Sequence, residues 1–90
     1  MANIFTTIQR KINEGKYEFR EHFLKELYND RFLTADAFSA IRRPFNCYTL
    51  TEDASHIRYV FEGCANDGRM LKVVVFIDSG LVQFKTVHEI

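Results

Sequence analysis

Arg69-Met70-Leu71-Lys72-Val73-Val74-Val75-Phe76-Ile77, then Asp78-Ser79-Gly80, then Leu81-Val82-Gln83-Phe84-Lys85-Thr86-Val87-His88 is the stretch on which the fold turns. Val73 to Ile77 are β-branched or aromatic in unbroken succession, which suits a strand far better than a helix. The Asp-Ser-Gly triplet interrupts the run where a second alternating run begins. The stretch therefore reads as a β-hairpin, with strands over Arg69–Ile77 and Leu81–His88. Residues two apart share a face of a strand. Leu71, Val73, Val75 and Ile77, continued by Val82 and Phe84, make an apolar row that needs helices over it. Met70, Lys72, Val74 and Phe76, with Leu81, Gln83, Lys85 and Val87, make a mixed face.

Two more alternating runs precede the hairpin, Asn46–Thr51 and Ile57–Cys64, joined by polar connections at Glu52–Ser55 and Ala65–Gly68. Connections of a few residues join antiparallel neighbours. Upstream of Pro44 the period changes to that of a helix. Ile4, Phe5, Ile8 and Ile12 form one stripe of a helix over Asn3–Asn13, ended by Gly15. Lys16 to Arg20 is a short extended link. Glu21–Asn29 is a second helix, expected to bury Phe23, Leu24, Leu27 and Tyr28 and to leave His22 at the margin of the core. In the third, Thr34 is the expected cap, Asp36 favours the first turn and Leu33 can staple onto Phe38. Pro44 stops that helix near Arg42. The expected architecture is α+β, two to three N-terminal helices packed on one face of a four-stranded antiparallel β-meander.

Ninety residues hold one domain, 1–90, and one core. The apolar share of 47%, with nine Phe and four Tyr, argues for a folded chain. Twelve basic residues balance twelve acidic ones, so an anionic partner would have to be met by a local cluster rather than a long-range field. Cys47 and Cys64 lack the C-x-x-C spacing of zinc or redox sites and read as reduced packing residues. The longest apolar run falls far short of the roughly 18 residues of a membrane span, and the expectation is a cytoplasmic protein without a membrane partner.

Arg58 can share the mixed face with Lys72 and Lys85, and three cations there could grip a phosphate backbone. The plainer alternative is three long side chains in solvent, paired with Glu62 or another acid. Val74, Phe76 and Val87 on the same face call for cover from a partner, a second copy or a terminal helix. His22 is either a boundary residue or a general acid or base. His22, His56 and His88 have no pairing at metal-ligand spacing, and no phosphate loop or nucleophile elbow is present, so neither metal nor cofactor is expected.

The order of a helix, a Tyr17-Glu18-Phe19-x-x-His22 helix, a Leu33-Thr34-x-x-x-Phe38 helix and a meander resembles a bacterial family of small single-domain proteins of unknown function. That family looks related to the RelE-like and BrnT-like ribonuclease toxins. Ile41, Arg58, Tyr59 and Gly68 to Val75 extend the match to most of the chain from about residue 14. The last hairpin is also similar to that of the motility and quorum-sensing regulator toxins, through Leu71, Lys72, Val75, Asp78, Val82, Phe84 and Lys85. On that match Lys85 takes the place of a catalytic lysine, and Arg58 that of a functional glutamine. Met70 stands where that family has a tyrosine, and Asp30-Arg31 stand where a glycine usually follows the second helix.

The resemblance implies a RelE-like fold and a toxin-like RNA-binding or metal-independent endoribonuclease domain of a toxin–antitoxin type system. His22 and Lys85 would be catalytic; Arg58 and Lys72 would hold RNA. The other reading is a non-catalytic interaction module, a homodimer or the companion of an antitoxin-like protein, with Val74 and Phe76 in the interface.

Overall fold

A computed structural model describes residues 3–53 and 56–90, with residues 52, 53 and 56 described by their backbone alone. The polar connection expected at Glu52–Ser55 thus lies largely outside the described residues. Helix α1 spans Ile4–Asn13, capped by Asn3, whose side chain accepts from the Thr6 amide at 2.9 Å. Helix α2 spans Glu21–Asn29 and α3 spans Thr34–Arg42. The cap of α3 is Leu33 rather than Thr34, because the Asp36 carboxylate reaches back to the Leu33 amide at 2.8 Å. That reciprocal half of a capping box needs only the residue three positions into the helix. Asp36 is buried, and its other oxygen accepts from the Asn66 amide at 3.0 Å, which ties the turn before the hairpin to α3.

The four long strands lie where the alternation places them: β2 Asn46–Asp53, β3 His56–Cys64, β4 Met70–Asp78 and β5 Leu81–Glu89. The four-stranded antiparallel meander is nevertheless overturned. Residues Tyr17–Phe19, expected as a mere link, form a strand, β1, that pairs parallel to β5, so the sheet is five-stranded and mixed in the order β1-β5-β4-β3-β2. Three residues are too short to carry a period. What makes them a strand is the unpaired edge of β5: the Val82 amide donates to the Lys16 carbonyl at 3.0 Å and the Arg20 amide to the Phe84 carbonyl at 3.2 Å.

Beyond Phe84, β1 has ended and α2 flanks β5 instead. The Asp30 carboxylate, at the C-terminal end of α2, accepts from the Glu89 amide at 3.1 Å. The edge is covered in two halves, a strand and then a helix end.

A β-bulge sits in β5. Val74 faces Thr86 while Val75 faces Phe84, so Lys85 is the extra residue. The bulge reverses the expected face of everything after it. Val87 pairs with Val73 and is fully buried in the core, not on the mixed face. At the other end of the hairpin Ser79 and Gly80 both take positive φ, 53° and 79°, as a two-residue turn matched to the twist of its strands requires.

The core gathers on one face of the sheet. Phe84 is its hub: the rings of Tyr17, Phe19, Phe23 and Phe38 lie 5.8, 4.8, 5.2 and 5.9 Å from it, so β1, α2 and α3 all meet there. Gly63 on β3 lets α3 sit close, since a Cβ there would lie 2.7 Å from the Ala40 Cα. Helix α2 rotates differently from its apolar pattern: Phe23 and Leu27 are buried, but Leu24 is 42% and Tyr28 84% exposed. Leu33 is also exposed. Cys47 packs at the core margin, where burial pushes its thiol up, and Cys64 is exposed; both are free. Among the described residues no helix is long and apolar enough to cross a membrane.

Candidate functional site

Pairing register sorts the helix-free face into three cross-strand rows. The first runs Glu18 (β1), Gln83 (β5), Phe76 (β4), Arg58 (β3) and Leu50 (β2). The second is Thr86, Val74, Val60 and Tyr48. The third is His88, Lys72, Glu62 and Asn46. Strand alternation puts these side chains on one side; the bulge keeps β5 in step with its neighbours by skipping Lys85.

In the first row Phe76 carries two guanidinium groups, Arg58 at 4.7 Å and Arg20 at 5.3 Å from the ring centroid. Arg20 comes from the junction of β1 and α2. Arg58 is buried, 9% exposed, and its Nε has no hydrogen-bond partner among the described residues. Gln83, also buried, donates through Nε2 to the Glu18 carboxylate at 2.8 Å. Such cation–π contacts are each worth about 0.5–2 kcal/mol, more as water is excluded.

The second row is apolar. Val60 is fully buried and Val74 is 8% exposed, although neither belongs to the main core. Phe76 is half-buried beneath its arginines. The two residues expected to form a partner interface therefore present little free apolar surface.

The third row reaches helix α2. Glu62 accepts from Asn46 Nδ2 at 2.8 Å, Lys72 lies between Glu62 and His88, and His88 Nε2 stands 3.3 Å from Glu26 Oε2 on α2. His22, one helical turn before Glu26, places its Nε2 3.3 Å from Glu26 Oε1. Two imidazoles from separate elements thus share one half-buried carboxylate. The His22 contact lacks hydrogen-bond alignment, so the buried Oε1 is an acceptor without a hydrogen-bond partner among the described residues. His22 itself is 71% exposed at its side chain.

The three cations expected to act together are divided. Arg58 neighbours Phe76 and Lys72 is four residues along the strand from it, about 13 Å at roughly 3.3 Å per residue. One phosphate cannot touch both; successive groups of a chain could. Lys85 stands on the bulge between them. Among the described residues neither Lys72 nor Lys85 has a carboxylate within ion-pair distance, so neither lysine makes the alternative pairing with Glu62 or another acid. No group of His, Cys, Asp or Glu among the described residues is arranged to hold a metal ion.

Glu26, His88, Arg20, Gln83 and Glu18 are site residues that pattern reading passed over. Glu26 carried one usable signal, its i+4 spacing from His22 on a helix. His88 carried none, because its face depends on the bulge, whereas alternation already placed Gln83, which precedes the bulge, on the mixed face. Comparison with protein-family models, with curated proteins and with solved structures found no match for this chain.

Proposed function

We propose that the chain binds single-stranded RNA on the helix-free face of its sheet and cleaves it by acid–base chemistry without a metal, as a toxin-type endoribonuclease. The observation that carries this reading is the meeting of His22 and His88 on Glu26, at the end of a row that also holds Lys72. Cleavage by transfer to the 2′-oxygen needs one group to take the 2′-hydroxyl proton and another to give a proton to the departing 5′-oxygen. The 2′-oxygen bonds to phosphorus, the bond from phosphorus to the 5′-oxygen breaks, and a cyclic phosphate and a free 5′-hydroxyl result. One imidazole takes the first proton and the other gives the second, and the Glu26 carboxylate brings the two within 3.3 Å of its oxygens. Lys72 and Lys85 offset the charge that builds on the phosphorane.

The test is degradation of a mixed-sequence RNA by the wild-type protein and by His22→Ala, His88→Ala, Lys72→Ala and Lys85→Ala. Each histidine variant is expected to lose about a hundredfold or more in rate. Each lysine variant should weaken RNA binding and lower its salt slope by about one. Equal rates in wild type and both histidine variants, or no cleavage by wild type at high concentration, would remove the catalytic reading.

A second reading, a non-catalytic interaction module, is favoured by a different surface. Tyr28, Leu24 and Leu33 leave an apolar patch on the outer side of α2, where the clefts around Tyr28 lie. A homodimer or an antitoxin-like partner would dock there rather than on Val74 and Phe76. Sedimentation of wild type and Tyr28→Glu checks it: a monomer at high concentration that also retains no antitoxin-like partner contradicts this version.

A further inference from the structure

Glu18 and Gln83 are not used by the acid–base pair, yet they form a side-chain hydrogen bond on the helix-free face. Glu18 projects from a three-residue strand, and its Oε1 is fixed by Gln83 Nε2 at 2.8 Å. Gln83 is buried and paired across the ladder with Phe76, on whose ring Arg20 and Arg58 lie. An ionised carboxylate accepts and never donates, and it retains lone pairs after one bond from an amide. Arginine planes and aromatic rings are the surfaces on which unstacked bases of single-stranded RNA are laid, while their Watson–Crick edges are read by hydrogen bonds. The first row therefore combines a stacking layer with a positioned acceptor at its side.

We infer that this row is a nucleobase subsite selective for guanine, with the base stacked on Arg20 above Phe76 and its edge turned to Glu18. Guanine is the base whose edge presents two neighbouring donors, N1–H and the N2 amino group, which match the two oxygens of one carboxylate. Its O6 acceptor then faces the guanidinium side. Cytosine and adenine offer a single amino group beside an acceptor, which a carboxylate repels; uracil offers one imino donor between two carbonyls. The subsite lies about four strand residues, roughly 13 Å, from the Lys72–His88 row. It would hold a base of the same strand, at a short remove from the bond cut. This inference rests on the proposed RNA reading.

Fluorescence anisotropy with 2′-O-methyl octanucleotides, which resist transfer to the 2′-oxygen, tests it on the full chain. The probes are an all-uridine strand, the same strand with one central guanosine, and the same with inosine, which lacks the N2 amino group. Wild type should bind the guanosine strand about tenfold more tightly than the other two, the discrimination typical of a bidentate base contact. Glu18→Gln should erase the preference, bringing the guanosine strand to the same affinity as the uridine strand, and its exposed position leaves the fold intact. Phe76→Ala should weaken all three strands. Equal binding of all three strands by wild type, or a preference kept by Glu18→Gln, overturns the guanine subsite alone. Binding of none of them overturns the RNA reading together with it.

Discussion

Arg31 shows how one residue can carry a cost that the chain tolerates. It has φ 58°, the left-handed region, at the exit of α2. Glycine would take that conformation freely, and a side chain pays about 1 kcal/mol or more for it. The Arg31 side chain is exposed, and it is the carbonyl that is used, accepting from Arg69 Nη2 at 2.7 Å. Arg31→Gly should therefore raise stability by up to about 1 kcal/mol, less the extra freedom glycine gives the unfolded chain; a higher urea midpoint is the readout. Gly63 is the opposite case. Gly63→Ala places a carbon against Ala40 backbone, which cannot yield cheaply, and should cost about 1–3 kcal/mol by the same measurement.

Asp67 gives a residue-scale test in pH. Its carboxyl is held below the usual range first by the Arg69 amide and then by the Arg69 guanidinium, which bond to it at 3.1 and 2.8 Å. A carboxyl with a depressed folded value stabilises the protein above its ordinary value near 4, and that contribution is lost as pH falls through the folded value. Thermal unfolding of wild type and Asp67→Asn should differ at neutral pH and converge as pH drops below about 4. A gap that persists at low pH would contradict the linkage.

At the scale of elements, the decisive partner of almost every segment is β5. Strand β1 exists because β5 has an open edge, α2 ends on its amide at Glu89, and Phe84 is the ring on which β1, α2 and α3 converge. Phe84→Ala would remove all four aromatic contacts and leave a cavity, at a cost of about 3–5 kcal/mol. A domain of this size is stable by only about 5–14 kcal/mol, so this variant should unfold at a much lower denaturant midpoint. The bulge at Lys85 matters as much to the site as to the core. Without it Val87 would leave the core and His88 would leave the face that reaches Glu26.

For the whole molecule, one layer of helices covers one face of the sheet, and the other face carries the three cross-strand rows. Zero net charge hides an uneven distribution: Arg20, Arg58, Lys72 and Lys85 belong to the rows and the bulge described above, with Glu18 and Glu62 tied to Gln83 and Asn46. On the proposed RNA reading, local cations rather than a long-range field set the affinity, which should fall steeply with salt.

The sequence by itself determined three helices and four strands within a residue or two, because each is long enough for a period of 3.6 or 2 to repeat. It also determined the hairpin turn and the core row of Leu71, Val73 and Val75, through the same local patterns. It did not contain β1, whose three residues have no period and become a strand only through the edge they satisfy. Nor did it contain the bulge, an extra residue that shows only against a partner strand. The faces of Val87 and His88, the separation of Arg58 from Lys72 and the meeting of His22 with His88 on Glu26 all follow from register. Register is a property of two strands together, so only the tertiary structure could decide it.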